Sequence, residues 1–171
     1  MYTAQDFTSL DSLQVIKFPF STPGPDPIQT QPRPHQIIID PTGQYLLVSD
    51  LGSDLIRIFK IYNNNGLEPQ IVLQQNICLR PGSTPRHGAF ATFGRQTYFF
   101  LVNQNINTLT AFSVEYRRDG MMRFEELAET NLLLRMDGSL MKGDIKASHI
   151  LISVRKYWES LLPAGYFIKT N

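Results

Sequence analysis

The sequence predicts an all-β protein made of β-propeller blades: two full four-stranded blades and the start of a third. Three observations carry this. One pattern is written twice, YLLVSDLGSDLIRIF from Tyr45 to Phe59 and YFFLVNQNINTLTAF from Tyr98 to Phe112, with the same 53-residue offset at the opening Tyr and the closing Phe. Each copy is flanked by short alternating strands separated by Gly-, Asn- and Asp-rich turns. Each is also preceded by a basic, proline-marked histidine segment, Arg33-Pro34-His35-Gln36 and Pro85-Arg86-His87-Gly88. Corresponding positions of successive blades face one axis, so two blades are expected to deliver His and Arg to a common site.

Residues 18 to 34 carry six prolines. Each proline removes a donor and restricts its predecessor, which predicts an extended lead-in. His35 to Asp40 reads as an inner strand, with Ile37, Ile38 and Ile39 expected as a buried β-branched run. Pro41-Thr42-Gly43 turns the chain. Tyr45 to Ser49 is the second strand, Leu51 to Asp54 a turn, and Leu55 to Tyr62 the third strand. Asn63 to Gly66 is a hairpin signal, because Asn and Gly tolerate positive φ. Gln70 to Leu79 completes the blade, with Cys78 expected in its core.

The second copy keeps this order: Gly88 to Phe93, Tyr98 to Val102, Leu109 to Tyr116, a hairpin at Arg118-Asp119-Gly120, and Met122 to Leu127. Agreement of strand count and turn position between copies outweighs either copy alone. Ala147 to Ser153 has the form of a third inner strand. The residues after Ser153 lack both the turn and the alternation; Tyr157, Trp158, Leu161 and Leu162 suit a short amphipathic turn of helix. The expected organisation is a lead-in over 1–34, blades over 35–80 and 81–130, the start of a further blade over 131–153, and a tail over 154–171 outside the repeat. The Phe18, Phe20, Phe90, Phe93, Phe99 and Phe100 group is expected to pack between blades.

At 171 residues and 42% hydrophobic, the chain can bury a core. A net charge of +1, from 16 basic and 15 acidic residues, leaves no electrostatic footprint for a nucleic acid or an anionic membrane. The single cysteine forms no intrachain disulfide and fits a reducing compartment. The first ten residues lack the basic and apolar regions of a secretory signal, so the expected location is cytoplasmic. No apolar run approaches the roughly 20 residues of a membrane span.

The segments from Pro34 to Tyr45, from Ser49 to Asp54 and from Pro81 to His87 resemble the lactonase family of seven-bladed β-propellers, which includes 6-phosphogluconolactonases and fungal carboxy-cis,cis-muconate lactonizing enzymes. The proline-rich Gly24-Pro25-Asp26-Pro27 resembles the fungal branch. The resemblance covers roughly residues 20 to 153 and implies a small anionic lactone or dicarboxylate as ligand. It also implies a catalytic group of one histidine, two arginines and a glutamate facing the funnel. His35 falls on the family histidine and Arg86 on the first arginine. Gln104, in Val102-Asn103-Gln104-Asn105, stands at the family glutamate, and the Ser-Asn-Arg ending that carries the second arginine is missing.

In this reading His35 moves a proton, since a pKa of about 6.5 serves either direction near neutrality. Arg86 anchors an acidic group of the substrate, supported by Ser83 and His87. Gln104 has no titratable proton, so it can orient a substrate but not exchange a proton with it. Weak or absent turnover is therefore expected, and a propeller that binds a ligand or partner without catalysis is the alternative. His35, His87 and His149 all begin inner strands, which raises a metal site. The spacing is not a local metal signature and no Asp or Glu stands beside His35 or His87, so neither a metal nor another cofactor is expected. Two to three blades cannot close a ring, so this reading takes the sequence as a partial chain. Open edges then predict weak autonomous stability and self-association.

Overall fold

The computed structural model describes residues 14–20, 23–63, 68–133, 146–152 and, for their backbone, 166–170. Among the described residues ten strands form three antiparallel sheets. The first blade is β1 (Pro34–Ile39), β2 (Tyr45–Asp50), β3 (Leu55–Tyr62) and β4 (Gln70–Cys78), paired in chain order. The second is β5 (Pro85–Phe93), β6 (Gln96–Asn103), β7 (Thr108–Tyr116) and β8 (Met122–Asn131), again in chain order. Then β9 (Ala147–Ile152) pairs with β10 (Tyr166–Thr170). This last pairing corrects the expected tail: its final residues add a strand to the third sheet. The expected helical turn at Tyr157 to Leu162, and most of the hairpin at Asn63 to Gly66, lie outside the described residues.

Alternation along the strands divides each sheet between two neighbours. Tyr45, Leu47, Ile56 and Ile58 of the first blade meet Phe99, Leu101, Phe112, Val114 and Met122 of the second in one buried cluster. The opposite face of the second blade, with Phe100, Val102 and Ala91, packs on Ala147 and Ile150 of β9. Phe90 and Phe99 stand in ring contact within the first cluster, as the sequence suggested. Gly88 is required at the crossing, since a Cβ there would lie 2.4 Å from Phe99 Cζ.

The other face of the first blade has no blade against it among the described residues. Ile37 and Ile39 are 67% and 62% exposed, and only Ile38 of the expected buried run packs into the core. The register explains this: Ile37 and Ile39 share a face with Val48 and Leu46, and that face points away from the second blade. The lead-in covers part of it. Phe18 stacks on Phe59 at 5.9 Å, and the Arg57 guanidinium lies 4.6 Å from the Phe18 ring. Arg57 itself is buried and bonded to the buried Asp50 at 2.6 Å, so the charge is neutralised as it is desolvated. Cys78 is exposed, a second departure from the expected core, because it ends the outermost strand.

The link from blade to blade is made by one turn position used twice. Asp54 and Asn107 both adopt a left-handed backbone, φ 52° and 50°, which short polar residues tolerate. The Asp54 carboxylate accepts from Gly82 N and Thr84 N, each at 2.7 Å, and its carbonyl accepts from Leu79 N. The Asn107 amide oxygen accepts from Ala147 N at 2.7 Å, and its carbonyl from Leu132 N. Each turn therefore grips the chain just where the next inner strand begins.

Candidate functional site

Each inner strand opens with the same irregularity. In β1 Pro34 faces Asp50 and Gln36 faces Ser49, so His35 is an extra residue bulged from the ladder. In β5 Pro85 faces Asn103 and His87 faces Val102, which leaves Arg86 as the bulge. In β9 His149 and Ala147 face consecutive residues of β10, leaving Ser148. A bulge re-aims its side chain relative to the flat ladder. By position, His35, Arg86 and Ser148 are equivalents, and so are Gln36, His87 and His149. The equivalence of His35 with Arg86 is not visible in the sequence, where the two histidines read as counterparts.

β5 lies between β1 and β9, so these openings converge. Arg86 Nε donates to His35 Nε2 at 3.2 Å. The His87 ring stands edge-on to His35, centroids 4.8 Å apart, and against His149 at 4.5 Å. His87 Nδ1 bonds the Ser148 carbonyl. Gly88 N donates to Gln36 Oε1 at 2.7 Å, tying β5 to β1 beside the cluster. Both His35 and His87 have pKa values lowered from 6.5. For His35 the largest cause is desolvation, followed by the positive charge that His87 and Arg86 bring. For His87 desolvation again leads, partly offset by the bond to Ser148, with His149 and Arg86 lowering it further.

Of the residues read from the sequence, His35, Arg86 and His87 come together in this cluster, and His149 joins them. Ser83 does not. It is 2% exposed in the link before β5, and its hydroxyl donates to the Arg80 carbonyl. Its turn instead shapes the approach to Arg86: Thr84, at φ 51°, accepts from Asn105 N at 2.8 Å through its hydroxyl. Gln104 follows β6 directly, half-buried, with its N–H bonded to the Thr84 carbonyl at 3.0 Å. It thus sits at the same end of the sheet as Arg86. Among the described residues no group of three or more His, Cys, Asp or Glu is arranged to hold a metal ion. The three imidazoles meet edge to face, which is ring packing and not convergence of nitrogens on one point. The bonding of His87 to Ser148 was missed by sequence reasoning; its only signal was the bulge, which needs the register to be seen.

Four-stranded antiparallel blades with inner strands side by side, and a cluster of one arginine and three histidines at their openings, define a piece of a β-propeller. The chain belongs to the lactonase family of 7-bladed beta-propellers, whose family model matches residues 2–157. A protein of Arthroderma benhamiae named "Probable 6-phosphogluconolactonase" is 37% identical over 117 residues, which cover 67% of this chain and 29% of that protein. The 6-phosphogluconolactonase of Serratia proteamaculans is 36% identical over 81 residues, 47% of this chain and 23% of its own. Among solved structures, the periplasmic gluconolactonase of Pseudomonas aeruginosa aligns with a TM-score of 0.58 at 26% identity, over 75% of this chain and 33% of that one. A Lactobacillus plantarum protein aligns with a TM-score of 0.60 at 23% identity, over 76% of this chain and 34% of its own, a likeness of fold. The chain thus spans about a third or less of the length of these relatives.

Proposed function

We propose that this chain carries the anion-binding part of a lactone-processing site, and that it binds a small anionic sugar lactone at the cluster of Arg86, His35 and His87. The observation that carries this reading is the composition of the cluster: a guanidinium and three imidazoles from three successive inner strands, with no carboxylate bonded to any of them among the described residues. The Arg86 guanidinium in this group has no bonded counter-charge among the described residues, and an anion would supply one. The Arg86 Nη groups have no partner among the described residues, which leaves a fork suited to a phosphate or carboxylate. Lactonase names among the relatives favour a lactone over a carboxymuconate.

Catalysis in this reading is slow. The position that carries a glutamate in the resembling family holds Gln104, and an amide cannot exchange a proton near neutral pH. Loss of a general acid or base typically costs about 10² to 10⁴ in rate. Ligand binding without turnover is the second reading, and Gln104 is the observation that favours it. Calorimetric titration with 6-phosphogluconate, a stable anion of the right class, tests binding. Arg86→Ala removes a charge-assisted contact of about 1.5–3 kcal/mol and should weaken affinity about 10- to 100-fold. Neutral gluconolactone should be nearly indifferent to the change. Equal affinity of variant and wild type for the anion, or no binding at all, refutes the proposal.

A further inference from the structure

We infer that His87, not His35, is the group in this cluster that accepts a proton from an attacking water; the inference rests on the lactone reading above. The argument is one of lone pairs. A neutral imidazole has one N–H donor and one acceptor nitrogen. The partner of His87 Nδ1 is the Ser148 carbonyl, which can only accept, so Nδ1 carries the proton and Nε2 carries the lone pair. The Arg86 Nε–H points at His35 Nε2 from 3.2 Å, so the lone pair of His35 is already engaged by a cation. For His35 to take a proton it must give up that bond and place a second positive charge beside Arg86. His87 also feels the charge of Arg86, but it has no hydrogen bond to Arg86 to give up.

The mounting of His87 supports the same role. A carbonyl that fixes the tautomer and orientation of an imidazole is the recurrent way a histidine is prepared as a base. Here the carbonyl belongs to the bulge residue of the neighbouring blade, so the third sheet completes the device. The His87 ring is held between His35 and His149 and is half-buried. His35 is left a positioning role, holding the Arg86 fork.

The step balances without a redox partner. Water oxygen forms a bond to the lactone carbonyl carbon while one of its protons passes to His87 Nε2, and the carbonyl electron pair moves onto oxygen. Collapse restores the carbonyl and breaks the ring carbon–oxygen bond. The departing ring oxygen takes the proton back from His87, leaving an open-chain hydroxy acid and a neutral imidazole.

The experiment uses the full chain in wild-type, His87→Gln and His35→Gln forms. Hydrolysis of 6-phosphogluconolactone above the buffer blank is followed from pH 5 to 8, beside long-range proton–nitrogen spectra of the histidines. His87→Gln should lower the excess rate about 10²-fold and abolish its fall at acid pH. His35→Gln should keep the acid limb, and the spectra should show His87 protonated at Nδ1. An Nε2-protonated His87, or an acid limb lost with His35 instead, overturns the assignment. A His87→Gln rate equal to wild type overturns the assignment alone. A wild-type rate equal to the blank overturns the hydrolytic reading and this inference with it.

Discussion

Asp54 offers the sharpest test of how the blades are joined, because one carboxylate holds the chain at the base of the candidate site. Its Oδ2 and Oδ1 accept from Gly82 N and Thr84 N at 2.7 Å each, and the residue is 7% exposed. Asp54→Ala strips both acceptors and leaves two amide hydrogens facing no partner. Hydrogen bonds to charged groups are worth about 1.5–3 kcal/mol each. Alanine at φ 52° adds a left-handed penalty of about 1–2 kcal/mol. The sum, about 4–8 kcal/mol, is comparable to the whole stability of a small domain. Asp54→Asn keeps the backbone tolerance and one acceptor, and Asn107 shows the fold uses such a residue at the corresponding turn. Its cost should be about 1.5–3 kcal/mol, one charge-assisted bond. Urea unfolding at pH 7 measures the loss, and amide exchange at Gly82 and Thr84 locates it. Because Arg86 lies two residues beyond Thr84, the Asn variant should also weaken 6-phosphogluconate binding. Full stability in Asp54→Ala, or rapid exchange of both amides in the wild type, would show that the turn does not hold the link.

Two further outcomes are expected from the cluster and from the open face. His35 and His87 have folded pKa values below 6.5, so in the window beneath 6.5 the unfolded chain binds more protons than the folded one. Stability should therefore rise with pH through that window and fall on acidification below about 6.5, and a His35→Gln, His87→Gln double variant should flatten the slope in a series of urea midpoints; an unchanged slope contradicts the shifts. Ile37 and Ile39, exposed on a face that no described blade covers, should drive concentration-dependent self-association, and Ile37→Lys with Ile39→Lys should reduce it in sedimentation velocity; a wild-type chain that stays monomeric with a sharp cooperative melt refutes this.

The propeller architecture was legible in the sequence because its signals are local. A turn favours Asn, Asp or Gly where φ is positive, and a half-buried strand must alternate, so the 53-residue echo of Tyr45 to Phe59 in Tyr98 to Phe112 revealed blades before any contact was known. Strand β3 falls where alternation put it, Leu55–Tyr62. Burial was less legible. Three isoleucines in a row look like a buried strand, yet which of them is covered depends on whether a sheet packs on each face, and only Ile38 has one. The third sheet shows the same limit, since β10 is identified by its pairing with β9 and not by a pattern of its own.

The site divides in the same way. Sequence alone determined that His35, Arg86 and His87 stand at the openings of inner strands, because each comes after a proline-marked link and precedes an apolar run. It also reads Gln104 as an amide at a position where the resemblance implies a glutamate. Only the tertiary structure decided which positions correspond, since a one-residue bulge shifts the register and makes His35 the counterpart of Arg86. Only the tertiary structure, too, decided which nitrogen of each imidazole is committed, because His87 meets a carbonyl 61 residues away and His35 a guanidinium 51 residues away. A side chain's identity sets the proton chemistry open to it; the partners that select among those options come from the packing of separate blades.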